Sequence, residues 1–322
     1  MKPLKNILYR ILLVITFQEF ILLAAFFLLT IISLGMTGSV HIGRAGRICH
    51  SLILIIACFL AYVGVKDTIT APREVPTSTL AWQISKRTFT IMRDWLPLFF
   101  AISMYSALYG LTESFNMVNR DAELLAADRF IFGETPAILF DNYIVWWVTE
   151  ILSMAYMTMM FFPPVLLCCL YIKGDRRSFQ RVTVSLMVLC FLGYSGYFLV
   201  PAIGPAKYMP KAFKNHLLGG SIANIEQTFI QQSRNPRDCF PSMHTAIPTL
   251  MNCFAATSFR PFLVVGLPLL GGIMMATLYL RYHYFVDIVA GLLLALLVYF
   301  FTTPLMSFWQ GEQERISKQL SS

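Results

Sequence analysis

Three side chains able to do chemistry stand at the ends of apolar stretches: His244 in Phe240-Pro241-Ser242-Met243-His244, and His283 with Asp287 in Tyr282-His283-Tyr284-Phe285-Val286-Asp287. Ionisable groups are costly in an apolar medium, so a functional reason is the default reading. His283 and Asp287 are four residues apart, and a helix beginning near residue 281 would put them on one face, within reach of each other. A carboxylate on one imidazole nitrogen fixes the tautomer and makes the other nitrogen a better nucleophile. Taken alone, such a pair is more often a structural hydrogen bond. His244 separates the two readings, because the order of apolar stretches brings it to the same side of the membrane as His283.

The elements that must position these groups are membrane helices. Of 322 residues, 57% are hydrophobic and 13% charged. Windows of about 20 apolar residues, the length that crosses a roughly 30 Å hydrocarbon core, fall near 11–35, 48–65, 95–112, 144–172, 183–203, 243–259, 261–280 and 285–308. The expectation is an all-α polytopic membrane bundle of about eight spans. A two-span extension with its loop, 1–93, precedes a six-span core, 94–308, and a tail, 309–322, follows. The first apolar run is longer than a signal h-region and is expected to remain as an anchor.

Short cytoplasmic loops are enriched in Lys and Arg. With the N-terminus inside, the cytoplasmic segments collect Lys66, Arg73, Lys86, Arg87 and Arg93, then Lys173, Arg176, Arg177 and Arg181, besides Arg260 and both termini. The histidines then face the extracytoplasmic or luminal side of a plasma, inner or organelle membrane. Of the +8 net charge, a local share lies in the outer loop 204–242, with Lys207, Lys211, Lys214, Arg234 and Arg237. A basic patch beside a membrane points to anionic headgroups. Nucleic acid is excluded as a partner, since there is no soluble domain to carry it.

An anion site takes shape around the histidines. Ser242 is placed to cap a helix beginning at Met243, so that His244 lies in its first turn, where free amides and the dipole favour a phosphate. Arg237, Lys207 (after the Gly204-Pro205 turn) and Arg281 supply cations, Arg as a planar fork and Lys as a point charge. Pro163-Pro164 should kink the long stretch 144–172. Glu19 and Glu150 read as helix-packing hydrogen-bonders. The loop 113–142, with apolar and acidic residues interleaved, reads as a short interfacial helix capping the bundle. Most cysteines fall in spans as small apolar fillers. Cys49 and Cys239 could both face outside, where a disulfide between them is the minor reading, and no C-x-x-C spacing suggests a metal.

Pro241-Ser242-Met243-His244 and His283-x-x-x-Asp287 resemble the second and third signature motifs of the type 2 phosphatidic acid phosphatase superfamily. The string from Tyr279 to Gly291 is closer to its inositolphosphotransferase branch, which includes inositol phosphorylceramide synthases, as is Asp128…Phe132-Gly133…Pro136. The resemblance covers about residues 95–300. It implies a six-helix core in which His283 attacks phosphorus, Asp287 orients it and His244 protonates the leaving oxygen, with no metal and no cofactor. The first motif, K-x-x-x-x-x-x-R-P, has no match, and the Ser-Arg pair of the third falls on Ala276 and Thr277. Arg281 lies one helical turn beyond Thr277 if that helix continues, and stands in as the missing cation; Lys207 and Arg237 are the candidates for the first motif.

The expected function is therefore a metal-independent lipid phosphatase or phosphotransferase acting on a lipid phosphate or phospho-headgroup, inositol phosphate being one such group, with water or a lipid hydroxyl as acceptor. A transporter or a non-catalytic lipid-binding scaffold is the competing class. Transport residues gather near the bilayer midplane, whereas these sit at one interface. A zinc site of two His and one Asp is a third reading, opposed by the surrounding cations.

Overall fold

The computed structural model describes residues 118–321 apart from Arg234, with parts of 90–108. Two compact units divide the chain, Leu108–Phe300 and Met1–Ala107 with Phe301–Ser322, and the candidate site lies wholly within the first. The described residues are helical throughout, without a strand. Eight longer helices carry the architecture: α1 (Asp121–Phe132), α2 (Trp146–Thr158), α3 (Phe162–Lys173), α4 (Arg176–Leu199), α5 (Ser221–Ser233), α6 (Met243–Ser258), α7 (Leu263–Tyr279) and α8 (Phe285–Ser321).

Among the described residues, four helical stretches are long and apolar enough to cross a membrane: Trp146–Lys173, Arg176–Leu199, Arg260–Tyr279 and Phe285–Lys318. The protein is integral to the membrane. The spans expected at 11–35 and 48–65, with Glu19 and Cys49, lie outside the described residues, and 95–112 is described only in part. The segment expected at 243–259 is a helix of 16 residues, about 24 Å at 1.5 Å per residue. It is shorter than a hydrocarbon core and most of its side chains are buried. It packs on α3, α4 and α7, while α7 and α5 pack on α2.

Local sequence explains the breaks. Pro163 and Pro164 lack the amides that would continue α2, so the chain tightens into a 3₁₀ turn at Met159–Phe161 and restarts with the prolines in the first turn of α3. Gly174, at φ +80°, ends α3 in the left-handed conformation, and Asp175 then caps α4 by accepting from the Ser178 amide at 3.0 Å. This basic turn lies at the far end of α6, since Lys173 Nζ donates to the Ser258 carbonyl at 3.2 Å. His244 therefore stands one full helix length away from it.

The loop expected to be an interfacial cap holds α1, an amphipathic helix with Phe130, Ile131 and Phe132 exposed. Its other face is unusual: Asp121 and Asp128, two turns apart, are both fully buried beside Leu124 and Leu125.

Candidate active site

The segment between α7 and α8 holds His283 and leads into Asp287, and its conformation differs from a continuous helix. α7 stops at Tyr279, Arg281 turns the chain in the left-handed region at φ +65°, and α8 begins only at Phe285. The amides of Tyr282 and His283 both donate to the Thr277 carbonyl, at 2.9 and 3.1 Å. Arg281 is thus not on the helical face of Thr277, correcting the expectation of a shared face. His283 also precedes the helix that holds Asp287. The two still meet, because the turn replaces the helical face: His283 Nδ1 lies 3.3 Å from Asp287 Oδ2. Both side chains are almost fully buried, at 2% and 0% exposure.

Asp287 is held from several directions. Its Oδ2 accepts the Tyr284 amide at 2.8 Å and the Cys239 thiol at 3.0 Å as well as facing His283. Asp128 accepts the amides of Phe285 at 3.0 Å and Val286 at 3.1 Å, occupying the free amides at the start of α8, and also accepts from the Thr135 hydroxyl at 2.8 Å. Asp121 accepts from the amides of Ile203 and Gly204 and from the Tyr284 hydroxyl at 3.1 Å. The two inward acids of α1 therefore tie the His283–Asp287 segment to the end of α4.

His244 reaches the dyad from α6. Its Nδ1 is 3.4 Å from His283 Nε2, and its ring stacks on Tyr156 of α2 with centroids 4.4 Å apart. The N-terminus of α6 is drawn to α8 by the Ser242 amide, which donates to the Asp287 carbonyl at 3.1 Å. Gly291 permits this approach: a Cβ there would collide with the Ser242 carbonyl. Ser242 occupies the cap position, but its hydroxyl does not cap the helix as expected; it accepts instead from the Thr245 hydroxyl at 3.3 Å.

The expected cations lie in different settings. Arg281 is buried, its Nη2 donating to Asp141 Oδ1 and to the Asn215 carbonyl, both at 2.7 Å, with the guanidinium over the Phe213 ring. Its buried Nε has no hydrogen-bond partner. Burial pushes the Arg281 pKa down, and the Asp141 carboxylate opposes that shift. Lys207 is exposed and, with Arg281, His216, Gln227, Gln231 and Tyr282, lines a cavity of about 480 Å³. Arg237 is half-buried and its Nε donates to Asn119 at 2.9 Å. The cavity abuts the histidine cluster, because the ring of Tyr282 in its lining lies 5.1 Å from that of Tyr156, on which His244 stacks.

Glu150 is a packing group: it accepts the amides of Gly220, Ile222 and Ala223 at 2.6, 3.1 and 2.9 Å and so fixes the start of α5 beneath the cavity wall. Cys239, Asp121, Asp128 and Tyr156 had no assigned role from sequence. Cys239 is a buried thiol outside any disulfide. Cys239, His283 and Asp287 together present donor atoms within 4.8 Å of one another and are the set among the described residues that could hold a metal. It differs from the two-His set considered above.

The PAP2 superfamily model matches residues 122–301. The chain belongs to the PAP2 superfamily. Among curated proteins it is similar to the phosphoinositol dihydroceramide synthase of Bacteroides thetaiotaomicron, with 24% identity over 147 residues, 41% of this chain and 48% of that protein. The chain thus covers about half the length of this relative. No solved structure matches it.

Proposed function

We propose that the protein is a membrane-embedded lipid phosphatase or phosphotransferase that works through a phosphohistidine on His283. The observation that carries this reading is the chain of short contacts from Asp287 Oδ2 through both nitrogens of His283 to His244 Nδ1, at 3.3 and 3.4 Å. Hydrogen-bond logic assigns the protons. A carboxylate accepts, so His283 Nδ1 bears hydrogen and Nε2 keeps its lone pair. His244 Nδ1, facing that lone pair, is then the donor. The arrangement provides a nucleophile at Nε2 and an acid at His244 before substrate arrives.

In the first step Nε2 bonds to phosphorus as the bond to the leaving oxygen breaks, and that oxygen takes the Nδ1 proton of a doubly protonated His244, which is left neutral. The imidazolium that results faces Asp287 in a buried setting, where the opposite charge is worth most. In the second step neutral His244 removes a proton from water or a lipid hydroxyl, which attacks the phosphohistidine. The phosphoryl group has to part the two rings, and His244, half-buried and stacked on Tyr156, is the ring that swings.

A phospho-headgroup, rather than bare phosphate, is supported by the adjoining cavity. Its volume of about 480 Å³ exceeds what a phosphate needs, and its polar lining, Lys207, His216, Gln227, Gln231 and Arg281, supplies N–H donors with no carboxylate. That suits a phosphorylated polyol, the class to which the phosphoinositol in the name of the Bacteroides relative belongs. The chemistry needs no metal: Cys239, His283 and Asp287 already use their donor atoms on one another. The extracytoplasmic or luminal side is supported by the position of the basic α3–α4 turn beside Ser258, at the end of α6 opposite His244.

The experiment is a lipid assay on purified protein offered labelled phosphatidate, isoprenyl diphosphate and phosphatidylinositol, each with and without ceramide or diacylglycerol. Release or transfer of label that disappears in His283→Ala supports the reading. Equal turnover in that variant overturns it.

A further inference from the structure

We infer that Cys239 is a positioning residue of the catalytic dyad, its thiol holding the Asp287 carboxylate in the orientation that serves His283; the inference rests on the phosphohistidine reading above. Cys239 is fully buried, five residues before His244, in an apolar cluster with Leu124, Leu125, Ala202 and Tyr284. From there Sγ meets both members of the dyad: 3.0 Å to Asp287 Oδ2 and 3.6 Å to His283 Nδ1. It is also 3.3 Å from the Tyr282 carbonyl.

A thiol has one proton, and two acceptors compete for it here. The carboxylate is nearer and, when ionised, the stronger acceptor. With the proton directed there, Oδ2 receives the backbone amide of Tyr284 from one direction and the thiol from another. These donors restrain rotation of the carboxylate, and the remaining approach to Oδ2 is the one occupied by His283 Nδ1. Asp287 Oδ1, buried and without a hydrogen-bond partner, has nothing comparable to hold it. The thiol and the Tyr284 amide thus make Oδ2, and not Oδ1, the oxygen presented to the imidazole, and the thiol is the donor on the α6 side. In surroundings this apolar, the contact is stronger than the same pair would be in water.

The arrangement also joins the two motifs physically. Cys239 stands on the strand of chain that leads into α6, its amide donates to the Ala202 carbonyl at 3.3 Å, and its side chain ends on the turn before α8. The charged and titratable groups facing this cluster are His283 and Asp287 from the turn and α8, with Asp121 reaching it through the Tyr284 hydroxyl and Asp128 through the Phe285 and Val286 amides. None of the other groups approaches Oδ2 from the α6 side, so the Cys239 hydrogen bond is not duplicated.

The test compares three substitutions at one position in the purified full-length protein. Cys239→Ser keeps a donor, Cys239→Val keeps the volume and loses the donor, and Cys239→Ala loses both. The expected result is that Val and Ala each lower kcat about tenfold, equivalent to about 1.4 kcal/mol, with KM within twofold, while Ser stays within threefold of the parent. A packing role gives the reverse order, with Val nearly silent and Ser the worst, and that order overturns the inference. A double-variant cycle keeps the test decisive if one variant folds poorly. Cys239→Ala should cost about tenfold with Asp287 present and less than twofold in an Asp287→Asn background, because the thiol acts through that carboxylate. An equal loss in both backgrounds contradicts it. If His283→Ala retains activity, the underlying mechanism fails; if His283→Ala is inactive and the Cys239 series is flat, only the present inference does.

Discussion

The two histidines of the site live in opposite circumstances. His283 is buried, flanked by Asp287 and Cys239, and set in a segment whose next three backbone amides all end on buried carboxylates. His244 is half-buried, stacked on a tyrosine and close to the wall of a polar cavity. The difference fits the proposed division of labour. A nucleophile gains from being fixed at one angle to phosphorus, whereas the partner that gives a proton to one oxygen and takes it from another has to follow a changing substrate.

The sharpest way to break this comparison is to remove the proposed nucleophile. His283→Ala should abolish turnover in a protein that still folds, as judged by its melting temperature in detergent. His244→Ala should fall nearly as far, and Asp287→Asn somewhat less, on the order of the 10²–10⁴-fold typical of a lost general acid or base. Wild-type rates in His283→Ala would sink the mechanism.

Next in size is the cavity side. Arg281→Ala should lower kcat/KM by on the order of 2–4 kcal/mol of transition-state stabilisation, and Arg281→Lys by less, since Lys keeps the charge and loses the fork. The left-handed turn ends the helix before Arg281, so Thr277→Arg should not rescue Arg281→Ala. Rescue would mean that α7 continues in the working enzyme.

A smaller effect is expected at the buttress. Asp128→Ala strands the amides of Phe285 and Val286 and the Thr135 hydroxyl, at roughly 1–3 kcal/mol for a buried group left unsatisfied. It should lower the melting temperature and reduce kcat about tenfold, an effect that reaches the chemistry only through α8. An unchanged melting temperature would show that α1 does not hold the dyad.

No effect at all is expected from chelation. EDTA should leave activity intact if histidine and guanidinium do the work; loss on chelation, restored by added metal, would assign catalysis to the Cys239, His283 and Asp287 donor set.

Hydropathy was enough to locate the helices now seen at 146–173, 176–199, 243–258, 260–279 and 285–318, because long apolar runs have few alternatives. The dyad was legible for a different reason: reactive residues in apolar surroundings are rare enough to stand out. What sequence could not show depends on contacts between distant segments. Cys239 looks like any buried cysteine until the fold sets it 3.0 Å from a residue 48 positions later. Asp121 and Asp128 looked like the polar side of an interfacial helix, and their inward orientation follows from the amides of Gly204, Phe285 and Val286, which no local pattern reveals. The one signal available was their two-turn spacing together with Leu124 and Leu125 on the same face. The left-handed Arg281 was equally hidden, since Arg carries no preference for positive φ.

The most direct test of the central claim is to trap the covalent intermediate. Rapid acid-free quenching of the enzyme with substrate labelled in the phosphoryl group should leave label on protein that is acid-labile and base-stable, mapping to a peptide containing His283. It should accumulate in His244→Ala, where breakdown loses its base, and be missing in His283→Ala. Label on another residue, or full turnover with none on protein at any time, would contradict the account.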